Sequence, residues 1–393
     1  MFRFFTAGES HGKGLTGFLE GLPAGLTIDP KLINRQLYRR QLGYGRGGRM
    51  AIESDRVEML SGVRHGRTLG SPISFLIVNK DWENWQVPMS CDPVPDGADL
   101  RNVTRPRPGH ADLPGALKYQ AHDMRDILER ASARETAARV AGGAFVRMLL
   151  EHFRVRIASH VLAVGGEQVA AVYESLPFDD IAAVENEADE AYLRCADREA
   201  AARMIALIDE AGRTGDTLGG VVEIAAAGVP PGLGSHVQWD RRLDGRLAQA
   251  LMSIPSVKAV EIGDGVAVAR KPGSQAHDAI SYEAAARRFR HETNRAGGIE
   301  GGISNGEEVR ARIYIKPIPT LRKPLASVDV CSKQAFDAAV ERGDACAVPA
   351  AGVVGEAMLA LELCCAFLEK FGGDSMDETS ENYNRFMERV RSY

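Results

Sequence analysis

The fold is decided by residues 349–371, PAAGVVGEAMLALELCCAFLEKF, an apolar run that opens on a proline. It is long enough to cross a bilayer, so a transmembrane helix is one interpretation. However, Glu356 and Glu362 lie inside it, and a charge at mid-bilayer costs about 2.5–3.5 kcal/mol or more. A helix that is apolar on nearly every side is typical of one buried between two layers. We therefore predict a helix inside a soluble core, with Pro349 in its first turn.

Hydrophobic periodicity predicts further elements around this central helix. Residues 30–42 place Ile33 and Leu37 on one face and arginines on the other, and residues 123–153 form one long alanine-rich helix. The acidic segment 179–215 is expected to be a mostly helical, peripheral excursion. Strands are predicted at Ile73–Val78, Gly220–Ala225, Val309–Ile315 and Val257–Ile262.

No Pro/Gly/Ser-rich linker divides the chain, because its glycine clusters recur throughout, at 8–17, 43–48 and 297–306. This pattern favours one unit of residues 1–393. A faint internal echo joins GFLEGLPAGL at 17–26 to GVVEIAAAGVPPGL at 220–233. An internal duplication and chance similarity explain two such matches equally well.

The composition, 45% hydrophobic and 26% charged, is that of an ordinary soluble globular protein. The six cysteines form no C-x-x-C pair, which indicates reduced packing residues of a cytosolic protein. The chain reaches its first motif at Gly8, too soon for a signal peptide, so a cytoplasmic location is expected.

Charge is distributed unevenly along the chain. Residues 1–140 carry 20 Lys+Arg against 16 Asp+Glu, whereas residues 141–393 carry 28 against 37, which together give the net charge of −5. Arginine outnumbers lysine 38 to 10, and its forked guanidinium suits phosphates and carboxylates. A nucleic-acid-binding module would be basic overall and rich in aromatic stacking platforms. This chain is acidic and only 6% aromatic, so small anions are the expected ligands.

The most basic stretch is RRQLGYGRGGR at 39–49. Its glycines at 43, 45 and 48 satisfy G-x-G-x-x-G, but a dinucleotide fold needs a strand before this motif and a helix after it. Here an amphipathic helix precedes it. The favoured interpretation is a loop whose amides and guanidiniums bind phosphate or carboxylate. The alternative is a solvated basic loop, although its four arginines have no acidic partner within the segment.

Two histidines lie in tight glycine-bracketed contexts, His11 in GESHG and His110 in RPRPGHAD. Glycine allows the backbone to approach a ligand closely, and prolines stiffen the second loop. A histidine beside arginines is a candidate proton donor to a leaving phosphate. A structural role is the alternative for each, and His65 in VRHGR shows how unspecific the context is.

Three more segments contain candidate ligand-binding residues. Arg130 and Arg134 are four residues apart and would share one helix face, unless they belong to a surface helix paired with its own glutamates. The run KPIPT at 316–320 follows a predicted strand and could bind a phosphate. Asp344 precedes the apolar helix, where an acid is often only a cap.

Taken together, these motifs resemble the chorismate synthase family over essentially the whole chain. Nine pieces carry the resemblance in order: GESHG at 8–12, RRQLGYGRGGR at 39–49, SGVRHG at 61–66, RPGHAD at 107–112, RASARET at 130–136, GDTLGGVVE at 215–223, GGIEGGISNG at 297–306, KPIPT at 316–320 and RGD at 342–344.

The resemblance implies an α+β fold, a β-α-β sandwich with long buried helices between antiparallel sheets, assembled as a homotetramer. It implies a 1,4-anti elimination, in which 5-enolpyruvylshikimate 3-phosphate loses phosphate from carbon 3 and a proton from carbon 6. The reaction has no net redox change yet needs reduced FMN. No flavin-reductase domain is visible, so reduced FMN is expected from an external reductase. A flavin oxidoreductase is the competing enzyme class, and no metal or membrane partner is expected.

The resemblance also implies roles residue by residue. His11 would protonate the leaving phosphate and His110 the reduced flavin, while Asp344, with Ser10 nearby, would handle the proton at flavin N5. Substrate phosphate and carboxylates would be held by Arg40, Arg46, Arg49, Arg107 and Arg134. The flavin would be lined by Arg130, Ala131, Ser132, Pro255, Ser256, Gly301, Lys316, Pro317, Ile318, Pro319, Thr320 and Arg342. The family also links Arg40 and Arg46 to NADP.

The chain departs from the family pattern at Pro255 and Ser256, where members carry an amide residue and alanine. Backbone contacts to the flavin remain possible there, but an amide side chain is lost.

Overall fold

A computed structural model of the chain describes residues 1–46, 54–185, 193–341 and 343–393. The strands are β1 Arg3–Gly8, β2 Gly14–Glu20, β3 Glu58–Ser61, β4 Val63–Arg64, β5 Arg67–Thr68, β6 Ile73–Val78, β7 Arg156–Val164, β8 Glu167–Gln168, β9 Gly220–Ala227, β10 Val257–Ile262, β11 Ile280–Glu283, β12 Arg288–His291, β13 Ile299–Glu300, β14 Ile303–Ser304, β15 Val309–Ile315, β16 Ala326–Val328 and β17 Ala335–Asp337. The α-helices are α1 Pro30–Gln41, α2 Asp112–Tyr119, α3 Arg125–Ala131, α4 Thr136–His152, α5 Phe178–Glu185, α6 Arg198–Thr214, α7 Leu243–Met252, α8 Gly273–Ala276, α9 Val348–Phe371 and α10 Met376–Ser392.

Two antiparallel sheets form the outer layers of this α+β fold. The first has the strand order β1-β2-β6-β3 and the second β10-β15-β9-β7-β8. Strand β2 buries every second residue, Leu15, Gly17 and Leu19, as a sheet with one face on the core requires. The predicted strands at 73–78, 220–225, 257–262 and 309–315 are confirmed as β6, β9, β10 and β15.

Helices α4 and α9 lie between the two sheets, α1 packs against both of these helices, and α7 packs against α9 and β10. Helix α4 packs against the first sheet and α9 against the second, and the two helices pack against each other. Small residues permit this close approach. A Cβ on Gly143 of α4 would lie 2.5 Å from Ala357 Cβ, and one on Gly355 of α9 would lie 2.3 Å from Ile224 Cδ1. A larger side chain at either glycine would therefore push the layers apart.

Helix α9 is, within the described part of the chain, the one helix whose length and composition would suit a membrane span. Most of its side chains are nevertheless buried among those of α4 and the second sheet. The predicted helix buried between two layers is confirmed, and so is the predicted helix at 30–42, which ends as α1 at Gln41.

One carboxylate, that of Glu356 in α9, joins these layers from inside the core. It lies 2.7 Å from Arg39 of α1, 3.1 Å from Arg147 of α4 and 2.8 Å from Arg194, which precedes α6. The Ser159 hydroxyl of β7 donates to it at 2.6 Å. Burial alone would raise the pKa of Glu356, but the surrounding arginines hold it well below its usual range.

The single helix predicted at 123–153 is wrong, because the chain breaks at Ser132 into α3 and α4. Ser132 has extended backbone angles, and its hydroxyl accepts a hydrogen bond from the Arg134 amide. A short 3₁₀ turn follows, and the Thr136 hydroxyl donates to the Ala133 carbonyl at 2.6 Å. Local side-chain hydrogen bonds of this kind compete with helix continuation. Arg130 and Arg134 consequently do not share a face.

The expectations for the acidic segment and for the cysteines are confirmed only in part. Within 179–215, α6 places Met204 and Ile208 in the main core, while residues 186–192 lie outside the described residues. All six cysteines are free, but Cys91 and Cys331 are exposed, so the prediction of packing residues is wrong for those two. The internal duplication stays a prediction, because β2 and β9 belong to sheets of different strand order.

We predict that Glu356→Gln destabilises the fold by about 3–5 kcal/mol, because it leaves buried arginines without a counter-charge. Urea denaturation at neutral pH measures the change. The matched control is Glu369→Gln on the same helix, whose half-exposed carboxylate pairs with Arg246 and should cost about 1 kcal/mol or less. Equal effects of the two substitutions would contradict the prediction.

The effect also has a defined pH dependence. Because folding lowers the pKa of Glu356, its contribution is present above the unfolded glutamate pKa of about 4.3 and declines as the pH falls below it. The stability difference between the wild type and Glu356→Gln should therefore shrink progressively in acid.

Candidate active site

A cavity of about 1050 Å³ opens beside the N-terminal turns of α9. Its walls come from the break between α3 and α4, the turn after β15, the end of α7 and the segment 81–111. The predicted site residues that line it are Ser10, His11, Arg40, Arg46, Arg107, His110, Ala131, Ser132, Arg134, Pro255, Ser256, Lys316, Ile318, Pro319, Thr320 and Asp344. Residues far apart in sequence are thus brought to one place.

The charges on the cavity wall are mainly positive. Its cationic residues are Arg40, Arg46, Arg101, Arg107, Arg134, Lys316 and Arg322, and its acidic ones are Asp81, Glu341 and Asp344. Further carboxylates lie behind this wall and hold the cations in place. The cavity therefore presents fixed positive groups to an anionic ligand, an arrangement that needs little reorganisation on binding.

His11 is held by the buried carboxylate of Glu129 in α3. Its Nδ1 lies 2.9 Å from both carboxylate oxygens, and its backbone N–H donates to Oε2 at 2.8 Å. The imidazole stacks on Trp85, with ring centroids 4.0 Å apart. Burial would raise the pKa of Glu129, but the hydrogen bonds from His11 and Arg125 lower it below its usual value.

The second histidine has a carboxylate partner of its own. His110 Nδ1 lies 2.5 Å from Asp112, which also accepts from Arg107 Nε at 2.8 Å. Arg107 reaches on to the Thr320 hydroxyl at 3.0 Å. Burial would raise the pKa of Asp112, but the hydrogen bonds from His110 and Arg107 hold it well below its usual range. The rigid loop at 105–112 is thereby fastened to the turn at 316–320.

A buried carboxylate, Asp55, connects two of the arginines. Arg134 Nη1 donates to its oxygens at 2.6 and 2.7 Å, and Arg40 Nη1 lies 3.5 Å away. Arg40 is fixed further by Thr136 Oγ1 at 2.9 Å, and Arg134 by Asn79 Oδ1 at 3.0 Å. Burial, together with the charge of Arg134, lowers the pKa of Arg40 to about 10 although Asp55 opposes the shift.

The arginines at 39–46 are paired with acids from elsewhere in the chain. Arg39 faces away from the cavity to Glu356, Arg40 faces Asp55, and Arg46 Nη1 lies 2.7 Å from Asp344. Asp344 faces the cavity and does not cap α9, whose N-cap residue is Ala347. The acidic partners come from distant parts of the chain, so the segment alone could not reveal them.

Some predicted site residues are not brought to the cavity. Arg130 is directed to β1, where it donates to the carbonyls of Thr6 and Gly8 at 3.0 and 3.1 Å. Gly301 forms the exposed tip of the β13–β14 hairpin, and Pro317 is exposed within its turn. Their flavin contacts stay predictions. Arg49 and Arg342 lie outside the described residues.

Sequence reasoning missed several residues that hold the arginines and histidines of the site in place. They are Asp55, Asn79, Trp85, Asp112 and Glu129. Only Asp112 lies within a motif that had been singled out, RPGHAD. Nothing in the local sequence marks Asp55 or Glu129 as different from surface acids. Their significance comes entirely from being buried against arginine and histidine.

The comparisons with known proteins all identify one family. A family model described as chorismate synthase matches residues 2–368. The chain belongs to the chorismate synthase family. Curated chorismate synthases are 53% identical in Solibacter usitatus, with both chains covered completely, and 56% identical in Moorella thermoacetica, with 99% of this chain and 100% of the relative covered. A crystal structure of a chorismate synthase is 42% identical, with a TM-score of 0.80 over 100% of this chain and 99% of the other.

As a member of the chorismate synthase family, the protein is a lyase. The similarity to the crystal structure extends over the whole chain. The elements that form the cavity walls therefore belong to the fold that the two proteins share. Among the described residues, no group of His, Cys, Asp and Glu is arranged to hold a metal ion.

Proposed function

We propose that the chain converts 5-enolpyruvylshikimate 3-phosphate to chorismate by 1,4-anti elimination, in the shikimate pathway. The observation that carries the proposal is the convergence of two carboxylate-held histidines and several buried arginines on one cavity, in a chain of the chorismate synthase family. The carbon 3–oxygen bond breaks with its electron pair leaving on the phosphate, and carbon 6 gives up a proton to a base. The electron pair of the carbon 6–hydrogen bond forms a second ring double bond as the existing one shifts, which leaves a conjugated diene. No net oxidation occurs.

The cavity suits the charge of this substrate. The substrate carries one phosphate and two carboxylates, and arginine binds both groups through paired N–H donors. Arg40 and Arg134 are buried side by side over Asp55, while Arg107 lies across the cavity near Thr320. Phosphate is a poor leaving group unless its charge is neutralised, and preorganised guanidiniums supply that neutralisation without first shedding water.

The histidines are placed for proton transfer. Because Nδ1 of His11 faces Glu129, its Nε2 is the ring nitrogen left to serve the cavity, where it would donate a proton to the departing phosphate. His110, held through Nδ1 by Asp112, would supply a proton towards the flavin. Asp344, with Ser10 also on the cavity wall, would hold the proton at flavin N5.

The residues present fit a reduced FMN beside the substrate. The smaller pockets for one ligand measure about 300 Å³, so a cavity of about 1050 Å³ leaves room for a second molecule beside the first. Ala131 and Ser132 form one wall, Pro255 and Ser256 another, and the 316–320 turn offers Lys316 and Thr320 to a phosphate. When bound, reduced FMN would transiently lend electron density to the reacting ring.

The remaining parts of the proposal concern supply and assembly. Reduced FMN would come from a separate reductase, and NADPH would act only indirectly or through Arg40 and Arg46, which line the cavity. The enzyme would act in the cytoplasm as a homotetramer.

The first test concerns the cofactor. We expect anaerobic phosphate release from the substrate with dithionite-reduced FMN and none with oxidised FMN, since only the reduced flavin is electron-rich. Phosphate release is measured directly. Turnover without any flavin would refute the mechanism, and NADPH consumption without phosphate release would indicate a flavin oxidoreductase.

The second test concerns Arg46. Arg46→Ala should weaken substrate binding by about 1.5–3 kcal/mol, the value of a charge-assisted hydrogen bond, or roughly 10- to 150-fold. Binding is measured at several ionic strengths. Arg35→Ala removes the same charge from the exposed face of α1 and should change affinity little. If both variants bind like the wild type, Arg46 has no part in the substrate site.

The third test separates the two histidines. Loss of a general acid costs about 100- to 10,000-fold, so His11→Ala and His110→Ala should both be slow. Only His110→Ala should alter the protonation of bound reduced flavin, read from its absorption spectrum as the pH is varied. His11→Ala should slow phosphate release while leaving that titration near wild type. Identical flavin titrations in the two variants would show that the assigned division of roles is wrong.

A further inference from the structure

Glu129 contacts His11 at three points, although 118 residues separate them in the chain. One carboxylate oxygen accepts the His11 backbone N–H at 2.8 Å, and Nδ1 lies 2.9 Å from both oxygens. The backbone carbonyl of Glu129 accepts the Ser10 N–H at 2.9 Å. Backbone and ring of the 10–11 segment are therefore fixed by the same residue.

The carboxylate itself is held from behind. Arg125 Nη1 donates to Glu129 Oε1 at 2.8 Å, one helical turn away, and Arg125 Nε donates to the Arg101 carbonyl at 2.8 Å. Glu129 is only 2% exposed, so it has little freedom to rotate away. The carboxylate stays ionised over a wide pH range, because the bonds from His11 and Arg125 outweigh its burial and lower its pKa.

Trp85 restrains one face of the His11 imidazole. Its ring lies 4.0 Å from the His11 ring at an interplanar angle of 28°, and its Nε1 donates to Asp81 at 3.0 Å. The guanidiniums of Arg101 and Arg125 lie 4.4 and 4.9 Å from the Trp85 ring centroid. A ring held at one edge by a carboxylate and on its face by an indole can present only one nitrogen to the cavity.

We propose that Glu129 is a positioning residue, which holds a proton on Nδ1 of His11 and directs Nε2 to the reacting substrate, so that the ring protonated on both nitrogens can give its Nε2 proton to the departing phosphate. The inference rests on the proposed function of His11. A carboxylate can only accept hydrogen bonds, so the ring nitrogen that faces it must carry a proton, and this fixes the tautomer. Nε2 is then ready to take up a proton and to deliver it.

Glu129→Gln tests this assignment with almost no change of shape. Three donors converge on the carboxylate: the His11 N–H, the His11 Nδ1–H and Arg125 Nη1. An amide has only one oxygen to offer them, and its NH₂ group donates to Nδ1, which favours the neutral tautomer protonated on Nε2. A ring that cannot carry a proton on Nδ1 does not form the imidazolium, and the neutral ring is a far weaker acid. We expect kcat for phosphate release to fall about 100- to 10,000-fold with little change in KM, the range for a disabled general acid.

The tautomer is read independently of turnover. Histidine ¹⁵N chemical shifts in the resting protein distinguish Nδ1–H from Nε2–H, and the His11→Asn spectrum assigns the His11 signals among the nine histidines. At a pH high enough to neutralise the ring, the wild type should show Nδ1–H and Glu129→Gln a shift towards Nε2–H. Glu135→Gln is the matched control, since Glu135 is also buried but pairs with Arg139 and does not touch His11. It should leave the His11 tautomer unchanged. Its kcat should stay within about threefold of the wild-type value, a change of at most roughly 0.7 kcal/mol in activation free energy.

A loss of kcat without a change of tautomer would overturn the proposal, since Glu129 would then be merely structural. A change of tautomer with unchanged kcat would overturn it equally. If Glu129→Gln does not fold, Glu129→Asp keeps the charge but withdraws it by one methylene, and an unaltered kcat in that variant would refute the positioning role. If the wild type itself releases no phosphate, the proposed function fails while the tautomer measurement still stands.

Discussion

The structure depends on one buried charge, the carboxylate of Glu356 in the central helix α9. A carboxylate in an apolar core is tolerated only when its charge is matched and its oxygens are hydrogen-bonded. Arg39, Arg147 and Arg194 supply the match from three separate parts of the chain. Ser159 of β7 donates to the same carboxylate, so α1, α4 and the second sheet can satisfy Glu356 only in one relative placement. Val354, two residues earlier on α9, lines the cavity, so the same constraint places the floor of the site.

The same pairing principle organises the cavity. Its cations are backed by acids: Asp55 behind Arg40 and Arg134, Asp112 behind Arg107 and His110, and Asp344 against Arg46. Burying each pair has a desolvation cost. The pairing also fixes orientation, because a guanidinium held by several hydrogen bonds cannot rotate away from its ligand. In such a site the acidic counter-charges are part of the protein, and the cations bind the anionic substrate through the N–H groups that face the cavity.

Sequence alone predicts what is determined locally. The apolar run of α9 and the strands β6, β9, β10 and β15 appear where their patterns place them, because burial on one or both faces dictates the residue types. The break at Ser132 escapes notice, since its extended backbone is set by a few hydrogen bonds within an alanine-rich stretch that would otherwise suit a helix.

Contacts between distant residues escape prediction for a related reason. Arg39 and Arg40 are neighbours in sequence, yet one faces Glu356 in the core and the other faces the cavity. His11 and His65 share a glycine-bracketed context, but His65 lies exposed in the turn between β4 and β5. His65 also lies in a family motif, so only the roles that the resemblance implies distinguished the cavity histidines from the surface one, and these did not reveal Asp55 or Glu129.

The break between α3 and α4 has a consequence for how the chain can vary. Connections between helices usually tolerate inserted or deleted residues. Here Glu129, three residues before Ser132, is fastened to His11, and Arg134, two residues after it, is fastened to Asp55. One added residue would displace an anchor by about 3.3–3.6 Å, more than a hydrogen bond can absorb. This connection is thus a spacer of fixed length, and natural length variation should be confined to other loops.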